Sequence, residues 1–63
     1  MSNLNLTANI ERPDDFYEDL INSHEGLSKD ESDAFNARLI LVLANQIGDN
    51  ATLKAALDAA SLK

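Results

Sequence analysis

The sequence predicts an all-α fold, a small three-helix bundle with an extended N-terminal arm. Three stretches repeat apolar residues at helical spacing, each is framed by start and stop signals, and the two glycines stand where helices must end. The reading is an arm over 1–11 and a single three-helix domain over 12–63. Its helices are expected at about 13–25, 29–47 and 50–61.

In the arm, Leu4, Leu6, Ala8 and Ile10 alternate with Asn5, Thr7 and Asn9. That is strand period with one apolar side, which suits either a frayed tail or an extended arm lying across helices. The first helix opens at Pro13, whose missing N–H is no loss in a first turn. Asp14, Asp15 and Glu18 lie near the positive end of the helix dipole. Phe16, Tyr17, Leu20 and Ile21 form its apolar stripe, and Gly26 supplies a left-handed end. The second helix has the clearest start: Ser28-Lys29-Asp30-Glu31 spells a capping box. It runs to Ile47 and stops at Gly48. The third follows Asp49, a good N-cap, and carries Leu53, Ala56, Leu57 and Ala60 at i, i+3, i+4, i+7. The two short connections favour antiparallel neighbours.

Composition narrows the function. Eleven acids against five bases leave a net charge of −6, and the bases Arg12, Lys29, Arg38, Lys54 and Lys63 form no patch. Such a surface repels phosphate, so nucleic acid and anionic membranes are not expected partners. The longest apolar run, Leu39 to Ala44, is far short of a bilayer span. No Cys and no basic, hydrophobic leader read as cytoplasmic. The Asn-x-Thr triplets at Asn5 and Asn50 then go unread. A domain of 63 residues buries only about 60% of its unfolded surface, and without Cys no disulfide can reinforce it. Good helix packing, oligomerisation or docking must supply the stability.

Helix 2 is the informative element. Phe35, Leu39, Val42 and Leu43 make a bulky face. Ala34, Ala37, Leu41 and Ala44, continued by Gly48, make a second face roughly opposite, and Ile40 and Ile47 fill a flank. A helix apolar all round is expected to be buried. Two coverings are open: helix 1 and helix 3 take one face each, or one face stays bare and docks a second chain. In the second case the expected interface is Ala34, Ala37, Arg38, Leu41, Ala44 and Asn45. Arg38 and Asn45, seven residues apart on one line, would set the register. Arg38 can instead pair with an acid of its own chain or face solvent.

Candidate chemistry is sparse. The acids Asp14, Asp15, Glu18 and Asp19 sit at a helix start, where dipole and solubility account for them better than Ca²⁺, which needs six to eight oxygens. The single His24 lies on the helix 1 stripe, as a boundary residue or a proton-responsive contact. With no second His, no Cys and no nucleophile motif, neither a zinc site nor an enzyme is expected, and no cofactor. If Tyr17, His24 and Gln46 converge, with Arg38 and Asn45 nearby, they form the polar part of a binding surface. The alternative function is therefore small-ligand binding in a pocket near Tyr17, His24 and Gln46, between helices or at a dimer interface.

The segments Pro13-Asp14-Asp15-Phe16-Tyr17, His24-Glu25-Gly26-Leu27-Ser28, Asn36-Ala37-Arg38-Leu39 and Leu43-Ala44-Asn45-Gln46-Ile47-Gly48-Asp49 resemble a bacterial family of short helical proteins. That family is defined only as a domain of unknown function. The resemblance covers about residues 8–60. It implies genes beside FAD-dependent hydroxylases or related oxidoreductases of aromatic-compound breakdown, and so an accessory role near a flavoenzyme. Relatives carry His where this chain has Gln46, which argues against a chemistry shared through that position. Taken together, the expectation is a non-enzymatic helical interaction protein that self-associates or docks on a larger enzyme.

Overall fold

The computed structural model describes residues 4–61. Residues 1–3 of the expected arm and 62–63 of the expected domain lie outside them. Helix α1 spans Pro13–His24, α2 Lys29–Ile47 and α3 Asn50–Ala60, and no strand occurs among the described residues. The architecture is an all-α three-helix bundle preceded by an irregular arm.

Local sequence signals account for each boundary. Pro13 occupies the first turn of α1, and the Phe16 N–H donates to the Arg12 carbonyl at 3.1 Å. The helix ends at His24, one residue before the periodicity predicts, because Glu25 is already extended (φ −64°, ψ 132°). Gly26 then turns the chain with φ +80°. At the start of α2 the capping box closes in both directions. The Glu31 N–H donates to Ser28 Oγ at 3.2 Å, and the Ser28 N–H donates to the Glu31 carboxylate at 2.8 Å. Two of the four orphan donors of a helix start are thus satisfied. Gly48, at φ +76°, ends α2 in the left-handed conformation, its N–H donating to the Ala44 carbonyl at 2.8 Å. One residue later Asp49 caps α3, accepting from the Thr52 N–H at 2.9 Å. The last turn of α3 closes at Ala60, with Ser61 as its C-cap.

Helices α1 and α2 run antiparallel. The His24 ring, at the end of α1, meets the Phe35 ring near the start of α2 edge to face, with centroids 4.8 Å apart. Phe16, near the start of α1, shares an apolar cleft with Leu43, near the end of α2. Eight residues separate the two contacts along each helix, about 12 Å on both. Between them stand Leu20 and Leu39, both half-buried. Phe16, Leu20 and His24 on α1 and Phe35, Leu39 and Leu43 on α2 each follow a one-in-four repeat, which puts each set on one side of its helix. Helix α3 packs back on α2, whose Ala44 is half-buried, and Leu53, Ala55 and Ala56 are half-buried on α3.

The packing is open. Among the described residues no hydrophobic side chain is buried, and Thr52 alone is, at 7% exposure. The radius of gyration is 13.5 Å, against about 11 Å for a compact chain of this length. This overturns the expectation that α2, apolar all round, is a buried helix. Its neighbours are too few and too short: α1 covers one stripe and α3 one end.

Candidate docking surface

The bare part of α2 is continuous. Going round the helix at 100° per residue, Ile47, Ile40, Ala44, Ala37, Gly48, Leu41 and Ala34 fall in that order within an arc of about 140°. Of these only Ala44 is even half-buried. Ile40 is 64% exposed and Leu41 69%. The covering in which α3 closes the small-residue face is therefore not the one this fold adopts. Along the axis, Ala34 to Ile47 spans about 20 Å with no charge on the arc. An apolar surface of this kind, rimmed by polar residues, is the usual signature of a contact site.

The expected interface residues mostly share this surface. Ala34, Ala37 and Leu41 lie on it and are exposed, while Ala44 is partly withdrawn beneath α3. Arg38 and Asn45 line one edge, both exposed. Neither side chain has a hydrogen-bond or ion-pair partner among the described residues, where one ion pair occurs, the exposed Lys29–Asp33 contact at 2.8 Å. The Arg38 guanidinium is thus unengaged among the described residues. Its five donors in a rigid fork suit a carbonyl or carboxylate supplied from outside.

The polar trio does not converge. His24 sits against Phe35, while Gln46 lies eleven residues further along α2, about 16 Å away along the helix axis. Tyr17 belongs to the Phe16–Leu43 end and is 64% exposed. The antiparallel α1–α2 pairing thus parts His24 from Gln46 and leaves Tyr17 and Gln46 at the same end of the pair. Two open clefts are formed elsewhere. One, of about 310 Å³, is lined by Ile10, Phe16 and Leu43. The other, of about 470 Å³, runs along the arm from Asn5 to Pro13. Neither includes Tyr17, His24 or Gln46.

Sequence reasoning missed two features. The first is the meeting of Ile10 with Phe16 and Leu43. Its one trace was the alternation of the arm, which puts Ile10 on the apolar side. The second is the burial of Thr52, legible after the fact in the spacing Asp49-x-x-Thr52, since the Asp49 carboxylate accepts from both the N–H and the Oγ1–H of Thr52. Those bonds hold the Asp49 carboxyl below the usual carboxylate range. The backbone N–H and then the hydroxyl of Ser28 do the same for Glu31. Both groups are structural caps. No helix among the described residues is long and apolar enough to cross a membrane. No cluster of three His, Cys, Asp or Glu is gathered among them either.

The chain matches, over residues 4–62, the family described as Protein of unknown function (DUF2783). It belongs to that family. The match spans the arm from Leu4, all three helices and both connections, so the DUF2783 unit and the fold described above coincide. No curated protein and no solved structure matches the chain.

Proposed function

We propose that this DUF2783 protein is a non-enzymatic helical interaction module whose contact surface is the outer face of α2. The observation that supports this most directly is the exposure of Ile40 and Leu41 on a continuous apolar arc in mid-helix. A soluble chain gains nothing from such an arc in isolation, because exposed aliphatic surface is costly in water. It gains about 25 cal/mol for each Å² that a partner covers. Arg38 and Asn45, unengaged along one edge, add directional groups that fix orientation without supplying most of the affinity. The sequence resemblance adds the setting: an accessory protein of FAD-dependent oxidoreductases, such as the hydroxylases of aromatic-compound breakdown.

The experiment is a native-size measurement of the tagged chain in extracts of its own cell. The wild-type chain is expected well above its monomer mass of 6.9 kDa. Leu41→Glu is expected to collapse it to that mass, because a carboxylate would have to be desolvated in the contact. A complex whose size ignores Leu41→Glu would remove α2's outer face from the account.

A further inference from the structure

The geometry points to a second copy of this chain as the occupant of α2's outer face, in a twofold antiparallel helix pair centred on Leu41. This rests on the docking reading above and names its partner.

Area is the first argument. The chain exposes 5699 Å². A compact monomer of 6.9 kDa exposes about 4,000 Å². Part of the difference, about 1,700 Å², belongs to the irregular arm. The rest is helix surface, shared among α1, α2 and α3. A standard contact needs only about 800 Å² from each side.

The second argument is availability. With no hydrophobic residue buried among those described, the contact has to contribute to folding as well as to recognition. Stabilisation by association scales with the concentration of the partner. A like copy is always present at the chain's own concentration, whereas any other partner is not.

Charge and register supply the third. The acids of α2 are Asp30, Glu31 and Asp33, all in its first turns, and from Ala34 to Ile47 the one charged residue is Arg38. A parallel pair would set the two acidic ends side by side. An antiparallel pair holds them about 30 Å apart, several Debye lengths at physiological salt, and opposes the helix dipoles favourably. Arg38 and Asn45 share one edge, and the midpoint between them falls between Leu41 and Val42, less than about 1 Å along the axis from Leu41. A twofold axis there sets Leu41 against Leu41 and, twice over, Arg38 against Asn45 of the second copy. The guanidinium N–H donates to the Asn45 Oδ1. An isologous contact requires this reciprocity, and one polar pair, repeated, fixes the register.

The test is sedimentation equilibrium of the purified full chain over a wide concentration range, with helicity followed by circular dichroism. The expected species has twice the chain mass, and Leu41→Glu raises its Kd at least about 100-fold. Because that variant could lose helix along with the contact, a second substitution reads register without removing apolar surface. Asn45→Asp is expected to tighten the dimer about fivefold at low salt, since each new carboxylate faces Arg38 of the other copy. In any other arrangement the added negative charge weakens association of an already acidic chain. Arg38→Glu weakens the dimer, and Arg38→Glu with Asn45→Arg restores it. A helical wild-type chain at monomer mass throughout, or a dimer that Asn45→Asp weakens, overturns the inference. If the purified chain is monomeric while the Leu41-dependent complex persists in extracts, self-association falls and docking on another protein stands. If the extract complex also ignores Leu41→Glu, both fall.

Discussion

The two apolar faces of α2 differ in bulk and in how far their own chain covers them. On the inner face, Phe35 meets the His24 ring of α1, Leu43 shares a cleft with Phe16, and Leu39 is half-buried, while Val42 stays 64% exposed. On the outer face, Ile40 is 64% and Leu41 69% exposed, Ile47 is 49% exposed, and Ala34 and Ala37 are exposed beside them. Hydropathy ranks the two sides alike. The neighbours differ in placement: α1 returns past Gly26 with its His24 ring against Phe35, and α3 leaves past Gly48 to pack on α2 with Leu53, Ala55 and Ala56 half-buried. An inner residue therefore acts on folding of the chain, and an outer residue acts on association.

Substitution on each face separates the roles. The largest effect is expected from Leu41→Glu, which removes association and leaves the α1–α2 seam untouched; native mass reads it. A complex that survives would show the outer face to be idle. Next comes Leu39→Ala. Complete burial of a Leu makes this change cost 2–5 kcal/mol, so at a half-buried site about 2 kcal/mol is expected, measured by urea unfolding. Loss of association before loss of stability in Leu39→Ala would erase the distinction between faces.

Substitutions at the ends of α2 should lower stability and move neither face selectively. Gly48→Ala costs about 1 kcal/mol, because φ is +76° there. The added Cβ meets only the Asn45 carbonyl oxygen at an ordinary 3.8 Å, so strain in the backbone is the cause. Ser28→Ala opens the capping box for about 1 kcal/mol or less. The Ala variants at Ser28 and Gly48 should add, since the sites lie at opposite ends of the helix. Thermal unfolding checks both.

The smallest effect is on acidification. Glu31 and Asp49 have folded-state pKa values below their unfolded ones. Their contribution is complete above the unfolded values, about pH 4, and is lost as the pH falls through the lower folded values. Asp49→Asn keeps a capping oxygen without the titration. That variant should flatten the part of the acid slope owed to α3, seen in unfolding followed at successive pH values.

Much of this was legible in the linear chain, and the legible part has a common character. Ser28 and Glu31, Asp49 and Thr52, Gly26 and Gly48 act over three or four residues through backbone geometry, and the structure shows each bond or dihedral that the spacing implied. The candidate interface residues were legible as a face, because helical period alone puts Ala34, Ala37, Leu41 and Ala44 together. The separation of His24 from Gln46 was not legible, for the opposite reason. Tyr17, His24 and Gln46 lie on two helices, and period within a helix carries no information on the offset between two. Once His24 meets Phe35, the antiparallel pairing carries Gln46 away.

By itself, then, the sequence determined three helices, their caps, the turn glycines and which side chains point the same way, since these follow from local backbone preference and a fixed rise and rotation per residue. Only the tertiary structure decided that α1 meets α2 on the Phe35 side, that α3 packs back on α2, and that Ile40 and Leu41 are left largely to water. Which of two equally apolar faces is hidden depends on where the connecting turns aim the neighbouring helices and how far those helices reach.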